Sequence, residues 1–319
     1  MKLLAIGAGK WGQNIVRTLH GLEVLGGILD GSEATRAAMN ATYPEIPTYR
    51  DVAEALANRQ FDAVTIATPA ETHAAVAAQC IEAGLHAFVE KPLTLNSTDA
   101  DRLCALAKEH DRVLMVGHLL LYQPAVQYLR RAISEGLIGD LVSIHQERLN
   151  LGRARAVENV LWSLGVHDVA VAMFLADSVP TSVTGSGLAT LTDGIEDDFY
   201  LHVRFDSGVQ SHLHCSWLWP ELRRQTIVIG TEGMLTYNEL EQAAVLSRKR
   251  IDANLQNVDE GQEEVFRGAG EPLKLELEHF LDCCQNGTRP NSDGDSAAQV
   301  VRILEQASPT APRSVVTQG

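Results

Sequence analysis

Three glycines close together near the start of the chain constrain its fold more than any other feature. Gly7, Gly9 and Gly12 follow the apolar run Leu3–Ile6 and precede an amphipathic stretch, so the glycine loop joins a strand to a helix. Glycines at this spacing permit a tight turn and leave room for another molecule beside the backbone. Asp30 ends the next apolar run. Strand, glycine loop, helix and acidic residue, in this order, form a dinucleotide-binding fingerprint.

This fingerprint also predicts how a dinucleotide is held. The glycines bring backbone amides close to a pyrophosphate, whose negative charge is stabilised by the N-terminus of the following helix. Lys10 and Trp11 lie inside the loop, and we assign them to the same cofactor site. Asp30 would accept hydrogen bonds from both hydroxyls of the adenosine ribose and repel a 2′-phosphate, which favours NAD over NADP. The alternative is a tight turn followed by a solvated aspartate.

Short apolar runs alternate with helical patterns through the first 120 residues. Runs with little alternation are typical of strands that are buried on both faces of a parallel sheet. We therefore predict an α/β fold, with an N-terminal Rossmann domain built on a doubly wound parallel sheet. The predicted strands are residues 3–6, 24–29, 63–67, 87–89 and 113–116, and the predicted helices include residues 71–83 and 96–109, with Asn96 or Ser97 as the N-cap of the second.

The pattern changes after Gln123. A helix at residues 124–135 and a strand at 141–149 lead into alternating segments from about Ser182 onward, with a hairpin turn ending at Gly208. This pattern predicts a C-terminal α+β domain with a mostly antiparallel open sheet. We expect a closing helix at 273–285 and a loose tail after Ser308. The predicted domains are residues 1–120 for NAD binding and 121–319 for substrate binding and oligomerisation, and the terminal segment could return to the first domain.

Charge and cysteine content argue against several classes of protein. With 41 acidic and 26 basic residues, the formal net charge is −15, so we expect no nucleic-acid partner. Neither a signal peptide nor a membrane-spanning run is evident, and we expect no membrane partner. The 5 cysteines show no C-x-x-C spacing, which favours reduced thiols, a cytoplasmic location and no metal site. His212 and His214 lack ligand partners at a suitable spacing, and we interpret them as a solvated strand face.

Two further segments follow predicted parallel strands at the edge where such sheets bind ligands. The first contains Thr68, Pro69 and His73, and the second is Glu90-Lys91-Pro92. A lysine at this edge could hold its ammonium beside a reacting hydroxyl and stabilise a developing alkoxide. The alternative for the second segment is a strand terminator with two solvated charges.

These motifs together resemble the glucose-fructose oxidoreductase, inositol dehydrogenase and rhizopine-catabolism (Gfo/Idh/MocA) family over essentially the whole chain. The similar motifs are Gly7-x-Gly9-x-x-Gly12, Thr68-Pro69-x-x-x-His73, Glu90-Lys91-Pro92, Gly117-His118 with Pro124-Ala125, and His167-Asp168. The resemblance implies an NAD(P)-dependent sugar or cyclitol dehydrogenase, with Thr68, Pro69, His73 and Glu90 at the cofactor and His118 at the substrate. It also implies that Lys91 contacts both nicotinamide and substrate, and that His167 helps to move the proton.

The chain departs from the family pattern at one position. Many members have an aspartate four residues before the histidine, where this chain has Ser163. Serine cannot supply a carboxylate, so we expect Lys91 and His167 to act without a third member, with Ser163 at the substrate. Asp168 would point about 100° away from His167 on a helix, so it is not an obvious substitute. The alternative for His167 is a helix-start histidine whose partners are backbone groups.

An arginine-rich loop follows the strand predicted at 141–149. Arg148, Arg153 and Arg155 lie close together in an acidic protein, and arginine forks suit phosphates. The alternative is a solvated basic loop. With Tyr122, Asn150 and Trp162, this loop resembles the sugar-nucleotide branch of the family. That resemblance implies a UDP-sugar as substrate and NAD-dependent oxidation of its C3 hydroxyl, with UDP-N-acetylglucosamine as the expected sugar nucleotide and amino-sugar biosynthesis as the destination.

Two other functions stay open at this stage. One is a free-sugar or inositol dehydrogenase of the same family, which the arginine-rich loop argues against. The other is a non-catalytic NAD-sensing protein, which the presence of both Lys91 and His167 argues against. The open sheet would expose a large apolar face in a monomer, so we expect a homodimer or homotetramer.

Overall fold

The computed structural model describes residues 1–57, 61–152 and 154–308. The chain divides into two compact units, the first formed by Met1–Leu119 and Pro272–Val301, the second by Leu120–Glu271 and the chain from Arg302 onward. The predicted domain boundary lies between residues 120 and 121. The two units divide one residue earlier, and the segment beginning at Pro272 belongs to the first unit.

The helices of both units are α1 (Gly12–Gly21), α2 (Glu33–Thr42), α3 (Val52–Leu56), α4 (Ala70–Glu82), α5 (Ser97–Glu109), α6 (Pro124–Ser134), α7 (Val166–Ala176), α8 (Pro272–Asn286) and α9 (Gly294–Ala307). Within the described ranges, none of them has the length and apolar character that crossing a membrane requires. The N-cap of α5 is Asn96, whose side chain accepts a hydrogen bond from the Asp99 amide at 2.8 Å. The prediction of a cap at this position is thereby confirmed.

The first unit contains a six-stranded parallel sheet in the order β3-β2-β1-β4-β5-β6. Its strands are β1 (Leu3–Ile6), β2 (Leu25–Leu29), β3 (Thr48–Tyr49), β4 (Ala63–Ile66), β5 (His86–Glu90) and β6 (Leu114–Gly117). Every residue of β1, β4 and β6 is buried, as expected for strands covered on both faces. The predicted doubly wound Rossmann sheet is confirmed. The strand order reverses between β1 and β4, which is where such sheets bind dinucleotides.

The second unit contains an eight-stranded sheet in the order β14-β13-β12-β11-β7-β10-β9-β8. Its strands are β7 (Leu141–Leu151), β8 (Pro180–Leu188), β9 (Asp198–Phe205), β10 (Gln210–Ser216), β11 (Leu218–Gly230), β12 (Met234–Asn238), β13 (Ala243–Ile251) and β14 (Asn257–Arg267). β7 and β10 pair in parallel, and the other neighbours are antiparallel. The predicted mostly antiparallel sheet is confirmed.

One face of this second sheet is covered by helix, and the other is open. Along β9, Phe199 and Leu201 are buried, whereas Tyr200 and His202 are exposed. Helix α7 packs against β7 and β10. The predicted hairpin joins β9 and β10 through Gly208, whose φ of +88° favours glycine. The alternation in the sequence therefore identified the covered and open faces correctly.

The last helix was not predicted from the sequence. The predicted closing helix at 273–285 corresponds to α8, and α9 follows it. The Asp293 carboxylate accepts a hydrogen bond from the Ser296 amide at 2.8 Å at the start of α9. Ala297, Val301 and Leu304 are buried at helical spacing along it. The expected tail after Ser308 lies outside the described residues.

Candidate active site

The three glycines of the loop after β1 have different surroundings. Gly7 has a φ of +90°, and a Cβ on it would lie 2.7 Å from the carbonyl oxygen of Ala67, at the end of β4. A Cβ on Gly12 would lie only 1.9 Å from the Gly7 carbonyl oxygen, so α1 starts close against the loop. A Cβ on Gly9 would meet no described atom within 4 Å. Gly7 and Gly12 thus permit tight packing, and Gly9 leaves an open approach for a pyrophosphate.

Asp30 at the end of β2 is bound to the glycine loop. Its Oδ2 accepts a hydrogen bond from the Ala8 amide at 2.8 Å, and its Oδ1 accepts one from the Ser32 amide at 2.9 Å. A carboxylate oxygen can accept more than one hydrogen bond, so both oxygens keep capacity for ribose hydroxyls. Arg36, which the sequence analysis missed, donates to the backbone oxygens of Asp30 at 2.7 Å and Gly31 at 3.0 Å. The carboxylate is therefore fixed in position beside the loop.

His73 connects the loops that follow β4 and β5. It is 1% exposed, with Nδ1 2.8 Å from the Pro92 carbonyl oxygen and Nε2 2.9 Å from that of Thr68. Burial lowers its pKa, and a neutral imidazole has one N–H, so it donates to one of these carbonyls at a time. The Thr68 hydroxyl lies 2.7 Å from that of Thr72. Pro69 is exposed and precedes α4. Both ring nitrogens of His73 are thus directed at the protein itself.

Glu90 and Lys91 lie where β5 ends. Glu90 is buried and accepts hydrogen bonds from Trp11 Nε1 at 2.5 Å and from the Lys91 amide at 3.2 Å. Burial raises the pKa of Glu90, against the opposing effects of the Trp11 hydrogen bond and the Lys91 charge. Lys91 is half-buried, whereas Lys10 and Trp11 are exposed in the glycine loop. The Trp11 hydrogen bond links the glycine loop directly to the Glu90-Lys91 turn.

His118 follows β6, the strand beside β5. It is 3% exposed, and burial together with the Lys91 charge lowers its pKa to about 3, so the ring is neutral. Neither ring nitrogen has a hydrogen-bond partner among the described residues. A buried polar group of this kind calls for an explanation, and one is a ligand that takes up its hydrogen-bonding capacity. Because β4, β5 and β6 are neighbours in the parallel sheet, the residues that follow them, Thr68, Lys91 and His118, lie along the same edge.

In the second unit, a π-helical turn at Leu161–Gly165 runs directly into α7, which carries His167 in its first turn. Trp162 and Ser163 are buried in the π-helical turn, and His167 is half-buried. Asn159 fixes this segment by accepting a hydrogen bond from the Trp162 amide at 3.0 Å. π-helical turns are often found at functional sites. Ser163 and His167 are therefore not related by one regular turn of α-helix.

The three arginines of the predicted phosphate loop do not act as one group. Arg148 is 5% exposed, and its guanidinium contacts Asp168 Oδ2 at 2.5 Å, Asp168 Oδ1 at 3.0 Å and Glu239 Oε2 at 3.1 Å. Burial opposes the charge, but the two carboxylates raise the pKa of Arg148 above its usual value. Arg155 is exposed and pairs with Glu158 at 2.5 Å. Arg153 lies outside the described residues.

Asp168 and Glu239 were missed as partners of Arg148, although β7 carries a signal for it. Ile144, Gln146 and Arg148 are all buried, so the two-residue period of the strand places Arg148 on the covered face. The other predicted substrate residues are Tyr122, which is buried at the end of the 3₁₀ turn Leu119–Tyr122, and Asn150, which is half-buried on β7. The Asn150 side-chain oxygen has no hydrogen-bond partner within the described part of the chain.

The histidines of β10 are less solvated than the sequence analysis supposed. His212 Nδ1 lies 2.7 Å from His202 Nδ1, and its ring stacks on His145. His214 is buried, with Nε2 3.1 Å from Asp198 Oδ2. The solvated-face interpretation is therefore wrong for His214, because cross-strand neighbours cover it. The described residues contain no group of three or more His, Cys, Asp or Glu side chains arranged to hold a metal ion.

Comparison with known families covers both units. Residues 1–118 match the model of the oxidoreductase family with an NAD-binding Rossmann fold, and residues 126–236 match that of the GFO/IDH/MocA C-terminal domain. The chain belongs to the Gfo/Idh/MocA oxidoreductase family. The resemblance noted from the sequence is thereby confirmed. Its first domain is the NAD-binding Rossmann domain of this oxidoreductase family, whose named relatives include dehydrogenases of CH–OH groups.

Named relatives of this Gfo/Idh/MocA protein act on different substrates. UDP-N-acetylglucosamine 3-dehydrogenase of Acidithiobacillus ferrooxidans is 34% identical over 194 residues, which cover 60% of this chain and 60% of the relative. The NAD⁺-dependent scyllo-inositol 2-dehydrogenase of Bacillus subtilis is 29% identical over 254 residues, 75% of this chain and 72% of the relative. A solved structure of the Acidithiobacillus enzyme superposes with a TM-score of 0.85 at 27% identity, covering 98% of this chain and 97% of the other.

The residues of the first unit fit NAD. The open side of Gly9 and the start of α1 would receive the pyrophosphate, and the Asp30 carboxylate would receive the adenosine ribose. The half-buried Lys91 and His118 lie after neighbouring strands, on the edge where the nicotinamide half binds in sheets of this type. The His118 ring nitrogens lack hydrogen-bond partners in the described part of the chain, so they are available to a ligand.

Proposed function

We propose that this protein catalyses the NAD-dependent oxidation of the C3 hydroxyl of a UDP-N-acetyl sugar, UDP-N-acetylglucosamine, to the 3-keto sugar nucleotide. The observation that carries the proposal is the likeness to UDP-N-acetylglucosamine 3-dehydrogenase, in sequence at 34% identity and in fold over 98% of the chain. A 3-keto sugar nucleotide has a carbonyl that an amine donor can convert to an amine. The product would therefore feed amino-sugar biosynthesis.

The reaction removes a proton from the C3 hydroxyl and a hydride from C3. NAD, when bound, accepts the hydride at the nicotinamide ring. In our proposal Lys91 holds its ammonium beside the hydroxyl oxygen and stabilises the developing alkoxide, and His167 accepts the proton. The neutral ring of His118 would hydrogen-bond the sugar, because its pKa of about 3 leaves one nitrogen as acceptor and the other as donor. Ser163 would assist by hydrogen bonding only, since it has no carboxylate.

The ion pairs in the structure change which arginines we assign to the diphosphate. Arg148 is committed to Asp168 and Glu239, so it is no longer a candidate for the diphosphate. Arg155 is exposed and paired only with the side chain of Glu158 among the ion pairs of the described residues, and a diphosphate could compete for such a pair. We therefore assign diphosphate binding to Arg155 together with Arg153, and sugar contacts to Tyr122, Asn150 and Trp162.

A free-sugar or inositol dehydrogenase is the second candidate function. Two observations favour it: the alignment with scyllo-inositol 2-dehydrogenase covers 75% of this chain, and one of the three arginines expected at a diphosphate is neutralised by carboxylates. A non-catalytic NAD-sensing role is less well supported, because Lys91 and His167 are both present.

A substrate screen distinguishes these functions. Purified protein with NAD is given UDP-N-acetylglucosamine, UDP-glucose, glucose or scyllo-inositol, and NADH formation is followed by absorbance. The proposal expects turnover with the UDP-N-acetyl sugar and inhibition by UDP alone. Turnover with free sugars or inositol only would favour the second candidate, and binding of NAD without turnover of any of them would favour the sensor.

The open face of the second sheet supports the expectation of a homodimer or homotetramer. Tyr200 on β9 is 48% exposed, on a strand whose other face is buried. Exposed apolar groups on a broad sheet are typical of association surfaces. Light scattering at several protein concentrations tests this, and a monomer throughout would contradict it. The cytoplasmic location stays a prediction.

A further inference from the structure

Glu276 on α8 is a carboxyl group in an unusual environment. It is 0% exposed, and neither carboxyl oxygen has a hydrogen-bond partner among the described residues. An ionised carboxylate in such a place costs far more free energy than the same group in water, so burial favours the neutral form. None of the motifs that identified the cofactor site includes this residue, and its burial asks for a cause.

An aromatic contact joins α8 to β5 and brings Glu276 near Glu90. The rings of Phe280 and Phe88 lie 5.7 Å apart, which fixes one point of contact between helix and strand. Glu276 lies one turn before Phe280 on the same side of α8, a shift of about 6 Å along the helix. Glu90 lies two residues after Phe88 on the same face of β5, a shift of about 6.6 Å along the strand. Cys284, one turn after Phe280, feels the charges of Arg112 and Asp62, which precede β6 and β4, so α8 runs opposite to the strands and both shifts have the same direction. Burial is the larger cause of the raised pKa of Glu276, and the charge of Glu90 is the second cause.

The two carboxyl groups differ in the support that they receive as anions. Glu90 accepts hydrogen bonds from Trp11 Nε1 and from the Lys91 amide, and the Lys91 charge favours its ionised form. Among the described residues, Glu276 receives no such hydrogen bonds, and burial together with the nearby Glu90 raises its pKa well above the ordinary value. When two neighbouring carboxyls carry one charge, that charge belongs on the group with the better hydrogen bonds. Glu90 is therefore the anion, and Glu276 holds the proton.

We propose that Glu276 is a positioning residue for the NAD site: as a neutral acid beside Glu90, it leaves Glu90 as the single buried anion that holds the indole of Trp11 and the backbone of Lys91. Ionisation of Glu276 would place a second negative charge next to the first. Repulsion would then weaken the Glu90 hydrogen bonds that join the glycine loop to the Lys91 turn. The consequence is weaker NAD binding.

The direction of the pH effect follows from the acid involved. NAD binding needs the protonated form of Glu276, so affinity is retained below the raised pKa and is lost as the pH rises through it. The other ionisable groups at this edge are Lys91 after β5 and His118 after β6. His118 is neutral because burial and Lys91 lower its pKa to about 3, so it does not change charge in the alkaline range. The Lys91 charge acts on Glu90 by favouring its ionised form.

The test is the pH dependence of the dissociation constant for NAD, measured by calorimetry without substrate. In the unmodified protein we expect affinity to fall about tenfold per pH unit above the pKa of Glu276. Glu276→Gln keeps the shape and the neutral state, so it should bind NAD within about twofold of the unmodified protein at neutral pH and lose this alkaline dependence. The matched control is Glu278→Gln, an exposed residue on the same helix, which should keep the unmodified profile.

Two outcomes would overturn the proposal: the same alkaline loss of affinity in Glu276→Gln, or an NAD affinity in the unmodified protein that does not change with pH. If the Glu276→Gln variant does not fold, the infrared spectrum of the unmodified protein provides a second test. The infrared spectrum should show a protonated carboxyl at neutral pH that disappears on alkaline titration, and its absence would also refute the proposal. The inference rests on NAD binding alone, so it stands or falls independently of the sugar substrate.

Discussion

The guanidinium of Arg148 and the carboxylate of Asp168 form a two-point ion pair inside the second unit, with contacts of 2.5 and 3.0 Å. Arg148 lies on β7 and Asp168 in the first turn of α7, so the pair joins this helix to the sheet. Glu239 completes the cluster on the other side of the guanidinium. Because His167 precedes Asp168, the ion pair fixes the direction in which the histidine projects. Arg148 thus holds the helix that carries His167.

Removal of one partner of this pair should destabilise the second unit strongly. Asp168→Asn leaves the Arg148 charge buried with only Glu239 to balance it, which costs about 3–5 kcal/mol for a buried pair. Denaturant unfolding measures the loss. Arg155→Gln is the matched control, because it removes an exposed pair, where about 0–1 kcal/mol is expected. Equal effects of the two substitutions would show that the buried pair does not hold α7.

Asp30 should decide the choice of cofactor. The unmodified protein is expected to use NAD far better than NADP, because the carboxylate repels a 2′-phosphate. Asp30→Ala should narrow the difference between the two cofactors. It should also weaken NAD binding, since the Ala8 amide loses its acceptor at the glycine loop. Binding constants for both cofactors test this, and equal affinity of the unmodified protein for NAD and NADP would exclude the ribose role.

Substitution of Lys91 or His167 should lower the turnover rate much more than the affinity for NAD. Lys91→Met and His167→Ala are each expected to lower kcat by about two to four orders of magnitude, because they remove alkoxide stabilisation and proton transfer. Ser163→Ala should have a much smaller effect, since serine cannot act as a carboxylate. Steady-state kinetics and NAD titrations on the same samples provide the measurement. A large loss in Ser163→Ala with little change in His167→Ala would reverse the assignment.

The stability of the first unit should fall in acid because of His118. Burial lowers its pKa in the folded protein from 6.5 to about 3, so the unfolded chain binds a proton that the folded chain does not. The stabilisation from neutral His118 is therefore complete above about pH 6.5 and is lost progressively as the pH falls toward about 3. The slope attributable to one proton is about 1.4 kcal/mol per pH unit.

Comparison of two histidine variants measures the His118 contribution. His118→Gln should flatten the fall in unfolding free energy between neutral and acidic pH by up to this one-proton slope. The second variant is His20→Gln, which removes an exposed histidine whose Nε2 lies 2.9 Å from Glu45 Oε1, and it measures the effect of losing a surface histidine. An unchanged acid slope in His118→Gln would mean that the ring is protonated in the folded state.

Local signals explain what the sequence could predict. The glycine loop, Asp30, the β5 edge and the β9–β10 hairpin each depend on residues close together in the chain, and all were placed correctly as elements of the fold. The position of Arg148 depends instead on Asp168, which is 20 residues away, and on Glu239, which is 91 residues away. Arginine-rich segments predict charge, whereas only the tertiary structure decides whether carboxylates neutralise it.

Glu276 and α9 illustrate two other features that could not be predicted from the amino-acid sequence. The buried residues of α9 have helical spacing, but this helix begins at Gly294, and glycine is a poor helix former, so its start is weakly marked in the sequence. Glutamate is a residue type that usually lies on the solvated face of a helix. Glu276 is buried instead because α8 packs against β5, a strand far away in the sequence. Burial of a carboxyl group against a distant strand leaves no local trace in the amino-acid sequence.

Arg155 provides the most direct test of the sugar-nucleotide proposal. A charge-assisted contact with a diphosphate contributes about 1.5–3 kcal/mol, so Arg155→Gln should raise KM for the UDP-sugar about tenfold or more. Since the diphosphate lies away from the reacting carbon, kcat should change little, and the affinity for NAD should be unchanged. Glu158→Gln removes the competing partner of Arg155 and should lower KM or leave it unchanged.

UDP alone gives the complementary readout for the same residue. If Arg155 binds the diphosphate, UDP should compete with the sugar nucleotide and raise the melting temperature of the unmodified protein, and both effects should weaken in Arg155→Gln. The thermal shift separates the two candidate functions without any turnover assay, because an inositol or free-sugar site has no diphosphate to recognise. A protein that UDP neither stabilises nor inhibits would therefore be assigned to the free-sugar or inositol dehydrogenases.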